Sequence, residues 1–404
     1  MPEVPLALAA GATLAIWLYL LLFRGGFWRE FARRDATPAL SSTAPRVVAV
    51  VPARDEADVA PPAPLSAAPR IVAVVPARDE AGVVARAIGS LAAQRAPGYF
   101  HIVLVDDHSS DGTAASAEAA AERDLLTVIP AAPLPPGWKG KLWAVAEGVR
   151  HAATLRPDYL LLTDADIVHA PQNVAHLAAR AEAEGYDLVS YMATLSCDTP
   201  AERALVPAFV FFFFLLYPPA WIRNSQRATA GAAGGCMLIR RESLARVGGI
   251  GAIRGAWIDD CALARAMKRR GGKVWLGVSE QTRSMRGYAD FREAGRMISR
   301  SAFTQLHHSA WLLAATVAGL LLTYAAPPAL ALAATGSARW LGAAAWLIMA
   351  FCYWPAVRFF GRPAYEAACL PLVALFYLGA TVHSAWGWWR GGGGRWKGRR
   401  QPVS

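Results

Sequence analysis

Two carboxylates close a short apolar run in Leu160-Leu161-Leu162-Thr163-Asp164-Ala165-Asp166-Ile167. Residues two apart on an extended chain face the same way, so Asp164 and Asp166 can serve one ligand from the end of a strand. Paired hard oxygen donors suit a divalent cation, Mg2+ or Mn2+, holding phosphates. The competing reading is a strand ending in an acidic turn. Three more acidic groups stand elsewhere: Pro76-Ala77-Arg78-Asp79-Glu80, Asp106-Asp107-His108-Ser109-Ser110-Asp111-Gly112-Thr113, and Trp257-Ile258-Asp259-Asp260-Cys261-Ala262-Leu263. Asp111 reads as the cap of the helix that follows it.

Something must bring these groups together. Short apolar strands over 71–75, 101–105, 125–129 and 159–163 alternate with helices expected over 83–94, 112–123 and 141–154. That alternation predicts a parallel sheet covered on both faces. A helix over 171–184 and a strand over 188–194 extend the series. Each acidic group then falls at a strand end or a helix start. Open α/β sheets bind ligands along that edge.

The composition adds a membrane. Hydrophobic residues make up 55% of the 404 and charged residues 18%, with mean hydropathy +0.27. Residues 4–23 form an apolar run long enough to span a bilayer. Arg24, Arg29, Arg33 and Arg34 follow it, which places that flank in the cytoplasm and the N-terminus outside. The chain starts Met1-Pro2-Glu3, without the basic start of a cleaved signal peptide, so an uncleaved anchor is expected. Apolar stretches over 311–332, 341–359 and 367–388 predict C-terminal spans, the first kinked at Pro327-Pro328. Four spans would leave the C-terminus outside, against the positive charge of Arg390, Arg395, Lys397, Arg399 and Arg400. Either one stretch fails to cross or a further one does. A Phe-rich stretch over 205–217 suits an interfacial segment or a buried core helix. The net charge of +11 fits an anionic membrane face, and no nucleic-acid recognition motif appears. The five cysteines show neither metal spacing nor a disulfide framework.

One segment is duplicated. Residues 44–57 recur as 68–81 with a single change, Val47 for Ile71. Pro61-Pro62-Ala63-Pro64 follow the first copy and cannot propagate a helix. Only the second copy therefore begins a strand–helix unit, and residues 35–67 read as a spare strand or linker.

The order of the acidic motifs resembles that of the family 2 glycosyltransferases, inverting enzymes of the GT-A fold. The resemblance covers about 70–300. It implies an α/β fold: a GT-A nucleotide-sugar-binding domain with a Rossmann-like mixed sheet and flanking transmembrane helices. The expected organisation is an anchor at 1–24, a linker at 25–67, the glycosyltransferase domain at 68–305, transmembrane helices at 306–390 and a basic tail at 391–404. The membrane layout, the Phe-rich segment, Arg283-Ser284-Met285-Arg286 and Phe303-Thr304-Gln305-Leu306 look most like the hopanoid-biosynthesis-associated branch.

The same resemblance implies roles. Pro76, Ala77, Arg78 and Glu80 would frame the nucleotide pocket, and Asp106, helped by Asp107, would hold the uracil or ribose. Lys141, and Lys139 beside it, would pair with phosphate or with the acids. Asp166 would coordinate Mg or Mn bridging the diphosphate, with Asp164 on metal or ribose. Asp260 would be the catalytic base, with Asp259 standing where the family usually has Glu. Two acids at a helix start can also be no more than a cap. Gly234, Gly235 and Cys236 would line the acceptor site. The family's Gln-x-x-Arg-Trp is not intact in Gln281-Thr282-Arg283-Ser284-Met285-Arg286, which favours a single transfer over polymerisation. The implied partners are a UDP-sugar and a lipid acceptor at the cytoplasmic face of the inner membrane. A polyprenyl phosphate acceptor, or a non-enzymatic transporter or scaffold, are the alternatives.

Overall fold

The computed structural model describes residues 3–32, 68–390, 395–396 and 399–400. The first copy of the duplicated segment, the linker beyond residue 32 and most of the tail, Lys397 included, lie outside the described residues.

Eight strands form one sheet: β1 (Ile71–Ala77), β2 (Phe100–Asp106), β3 (Leu126–Pro130), β4 (Tyr159–Thr163), β5 (Ile167–His169), β6 (Leu188–Thr194), β7 (Cys236–Arg240) and β8 (Val274–Ser284). Their order is β3-β2-β1-β4-β7-β6-β8-β5. β1 to β4 are parallel, as the alternating pattern predicts, with Ala77 level with Asp106 and Asp106 level with Pro130. β7 runs antiparallel between β4 and β6, and β5 antiparallel on β8, so the sheet is mixed. All seven residues of β1 are buried. Val72 and Val74 face one core cluster while Ile71, Ala73 and Val75 face another, as the two-residue period requires of a strand covered on both sides.

The helices cover this sheet close to where the periodicity places them: Ala81–Ala92, Gly140–Ala153 and Asn173–Glu184. The helix expected over 112–123 is shorter, Thr113–Glu118; Ala120 and Ala121 beyond it still pack on the core, in a turn rather than a helix. Gly148 lets Gly140–Ala153 close onto the sheet. A Cβ there would lie 2.4 Å from the Val74 side chain.

Among the described residues, five helical segments are long and apolar enough to cross a membrane: Pro5–Leu22, Pro200–Arg223, Ala310–Ala333, Gly336–Phe359 and Ala364–Trp389. The second differs in kind. More than half of it (56%) is buried, against 17–39% of the others, and Phe211 and Phe214 sit in the main core. The Phe-rich stretch is thus largely a core helix, Pro200–Leu216, opened by a capping box between Thr199 and Glu202. In the third segment a π-turn over Leu321–Ala325 precedes Pro327-Pro328, the adjustment a helix makes where proline removes its donors.

Candidate active site

Two loops interlock at the ends of β1 and β2. The Arg78 guanidinium donates to the Asp107 carbonyl (2.6 Å) and carboxylate (3.3 Å). The Asp79 N–H donates to Ser109 Oγ, and the Ser110 N–H returns to Asp79 Oδ1, both at 3.0 Å. Asp79 and His108 take φ of 49° and 56°, left-handed values rare outside glycine, held by this mutual bonding. Asp111 bridges two helix starts: its carboxylate accepts from Thr113 N–H (3.1 Å) and Ala81 N–H (2.9 Å). The Thr113 hydroxyl bond, then the Ala81 bond, lower its pKa. Asp106 is half-buried at the rim, accepting the Ser109 N–H at 3.3 Å. Asp107 is buried beneath Arg78 and His108.

Lys141 is where the distant acids meet. Its Nζ lies 2.8 Å from Asp164 Oδ1 and 3.4 Å from Asp259 Oδ2. Asp164 follows β4, and Asp259 and Asp260 open the helix Asp259–Arg269, where the helix dipole favours carboxylates. Asp260 accepts the Gly234 N–H through Oδ2 (2.9 Å) and the Cys261 N–H through Oδ1 (2.7 Å). A Cβ on Gly234 would stand 3.4 Å from that Oδ2 and 3.6 Å from Lys141 Nζ, so this backbone lies directly against both groups. A small cavity of about 20 Å³ lies here, lined among others by Pro76, Lys141, Thr163, Asp164, Gly234 and Asp259.

The electrostatics follow from three acids around one lysine. Burial, reinforced by Asp259, raises the Asp260 pKa to about 6. Burial also raises Asp164, against the pull of Lys141. Burial works against the Lys141 ammonium, yet Asp164, Asp259 and Asp260 together hold its pKa above the ordinary value. Lys141 therefore stays charged, while Asp260 titrates near neutrality.

Asp166 meets a different cation. Arg286 bridges it (Nε to Oδ2, 3.0 Å) to Glu80 (Nη2 to Oε1, 2.7 Å). The Met285 N–H donates to the Asp166 carbonyl (2.8 Å), so the end of β8 is fastened onto the bend. Arg286 is the residue that the motif reading did not place in the site. It stands one residue past the broken Gln-x-x-Arg-Trp, whose last two positions are Ser284 and Met285. Cys236, expected to line the acceptor site, is fully buried in the core within β7. A Cβ on Gly235 would meet Ile167 at 3.1 Å. Lys139 stands over the Trp257 ring (3.8 Å).

For a divalent cation the chemistry of the donors fits and their number is small. Asp164 and Asp166 offer hard oxygens on one bend, but among the described residues no group of three or more His, Cys, Asp or Glu is arranged to hold a metal. A Mg2+ or Mn2+ there would complete its shell with substrate phosphates and water, as Mg2+ commonly does.

The mixed α/β sheet matches the GT-A architecture, and apolar helices flank it. A mannosyltransferase from Pyrobaculum calidifontis, solved with GDP-Man and Mn2+, superposes with a TM-score of 0.55 over 94% of this chain and 99% of its own, at 17% identity. At that identity the likeness concerns the fold alone. Residues 72–248 match the sequence model of Glycosyl transferase family 2, so the chain carries a family 2 glycosyltransferase domain, an enzyme domain. Undecaprenyl-phosphate 4-deoxy-4-formamido-L-arabinose transferases from Pseudomonas aeruginosa and Pseudomonas paraeruginosa are each 40% identical, over 104 and 90 residues. Those matches cover 26% and 22% of this chain and span only 29% and 25% of the relatives' own length.

Proposed function

We propose that the chain is a membrane-bound inverting glycosyltransferase that moves a single sugar from a UDP-sugar to a lipid hydroxyl, with a hopanoid or related lipid as the acceptor. The observation that carries this reading is the junction at Lys141, which joins Asp164 on the donor side to Asp259, beside Asp260 on the acceptor side. In the reaction Asp260 takes the proton of the acceptor hydroxyl as its oxygen attacks the anomeric carbon. The bond from that carbon to the diphosphate breaks on the opposite face, its electron pair leaves with the nucleoside diphosphate, and the configuration inverts. Pro76, Ala77, Arg78, Glu80 and Asp106 frame the nucleotide. Asp107 shapes that frame through Arg78. Asp166 and Asp164 would hold the Mg2+ or Mn2+, which when bound neutralises charge on the leaving diphosphate. Lys141 keeps Asp164 and Asp259 in place, and Gly234 gives the acceptor close access to Asp260.

A polyprenyl phosphate acceptor is the second reading, favoured by the undecaprenyl-phosphate relatives. Three acids around one lysine disfavour an anionic acceptor, and an ionised phosphate needs no base. The test is transfer of labelled sugar from UDP-sugars and from GDP-Man, by the full chain in detergent, to neutral lipids and to polyprenyl phosphate in parallel. Product on a neutral lipid, lost in Asp260→Asn, supports the first reading. Product on polyprenyl phosphate alone establishes the second.

The membrane arrangement we propose has three crossings. β6 and β7 are neighbours in one sheet, so the chain between them, Pro200–Arg223 included, must return to the side it left. The helix Glu3–Leu22 runs beside Gly336–Phe359, with Ala10 near Ala338, Trp28 on Phe351 and Phe31 on Phe359. Both therefore run toward the domain, and Ala310–Ala333 runs away from it. The last helix follows Phe359 and ends with Trp388 stacked on His308, just before Ala310. Both its ends thus lie on the domain side. Three crossings put the N-terminus outside and Arg390 with the domain in the cytoplasm, as the positive-inside rule requires. The membrane itself is, in this reading, the inner membrane.

A further inference from the structure

Behind the Asp164–Asp166 bend lies a buried polar chain that the reaction above does not use. His169, in β5, is 2% exposed; Thr163, at the end of β4, is 2% exposed; Asn173 is fully buried. The Thr163 hydroxyl lies 2.7 Å from the Gly235 carbonyl and 2.9 Å from His169 Nε2. A carbonyl can only accept, so the single hydroxyl proton goes to Gly235. Nε2 must then carry the hydrogen that it gives to Thr163. That leaves Nδ1 bare, and Asn173 Nδ2 donates to it at 2.9 Å. The His169 N–H donates to Ser90 Oγ (3.0 Å), in the helix that starts beside Glu80. Burial lowers the imidazole pKa to about 3, in keeping with a neutral ring.

Each end of this chain abuts a different half of the site. Thr163 is bonded directly to Asp164 in sequence. Gly235 follows Gly234, whose N–H binds Asp260. Across the sheet Thr163 pairs with Cys236, so Thr163, His169 and Gly235 meet where β4, β5 and the start of β7 converge. A buried polar group left unpaired is costly, so such a chain holds its members in one arrangement.

We infer that His169, acting through Thr163 and Gly235, is a positioning residue that keeps the acidic bend in register with the glycine pair that meets Asp260. The inference rests on the reading of Asp164 and Asp166 as donor-binding. The test compares wild type with His169→Phe, which keeps a ring but no nitrogen, and His169→Gln, which keeps an N–H able to reach Thr163. UDP and GDP binding are measured calorimetrically with Mn2+ on the full chain in detergent, alongside thermal unfolding and, for the nucleotide that binds, kcat and KM of its sugar donor. In His169→Phe the nucleotide Kd and donor KM should rise about tenfold, the scale of one buried hydroxyl left unpaired, with kcat falling less. His169→Gln should restore both to within about threefold, since one hydrogen bond is regained. If His169→Phe does not fold, the isosteric Thr163→Val carries the same comparison. Unchanged Kd and KM in a folded His169→Phe, or in Thr163→Val, would overturn the inference. A wild-type chain that binds neither nucleotide would instead overturn the donor reading, and the inference with it.

Discussion

The two halves of the sheet are built differently. β1 to β4 are contiguous in the chain, parallel, and separated only by covering helices. β5 to β8 are assembled from dispersed pieces: β5 crosses to the far edge, β7 is antiparallel, and the Phe-rich helix intervenes between β6 and β7. The first half provides the acids assigned to the donor. The second brings the partners those acids meet, Arg286 for Asp166 and Asp259 across Lys141 from Asp164, and holds Asp260 against its own Gly234. A local supersecondary pattern thus makes the pocket, and non-local contacts set its charge.

That contrast can be broken most sharply at Asp260. Replacing it with Asn should lower kcat by about 10² to 10⁴, the usual worth of a general base, while leaving nucleotide binding near wild type. Equal losses in kcat and in nucleotide affinity would mean that the two halves are not functionally separate. Next in size is Asp166→Asn, on the donor side. It should raise donor KM and the Mn2+ concentration for half-maximal rate by about tenfold, as loss of one charged contact does. Rates untouched by exhaustive chelation would remove the metal from the reading.

Smaller effects sharpen the junction. Because Asp260 must be ionised to act, kcat/KM should rise with pH through about 6 and level off above it. Lys141→Met should move that midpoint upward, since it removes the cation opposing the raised Asp260 pKa. A midpoint that stays in place would detach Lys141 from the base. The raised pKa also has a stability sign. The folded state holds more protons than the unfolded one between the ordinary value of 3.8 and about 6, so stability should fall with rising pH across that window. Gly148→Ala touches only the first half. Overpacking against Val74 should cost about 1–3 kcal/mol of stability in denaturant unfolding, with activity per folded molecule unchanged.

The first half was the more legible because its signals are local. An apolar run, a turn and an amphipathic helix each read from about a dozen residues, and β4 falls at 159–163 as the pattern predicts. The Phe-rich helix was not assigned between core and interface, since its burial depends on Phe27 and Tyr353, far away in the chain. Arg286 was visible as a residue but not as a bridge, because Glu80 lies 206 positions before it. His169 carried no pattern at all; its partners Thr163, Asn173 and Gly235 converge only once β5 leaves the centre of the sheet.

The amino-acid order alone determined the acidic groups, the strands that end in them and the apolar stretches around them, because hydrophobic period and turn chemistry act over short range. Tertiary structure alone decided which acid meets which cation, that Cys236 turns into the core and that Lys141 sits between Asp164 and Asp259. Those outcomes depend on sheet order and on the crossing of β5, and a chain's sheet order is fixed by packing among distant segments rather than by any stretch read by itself.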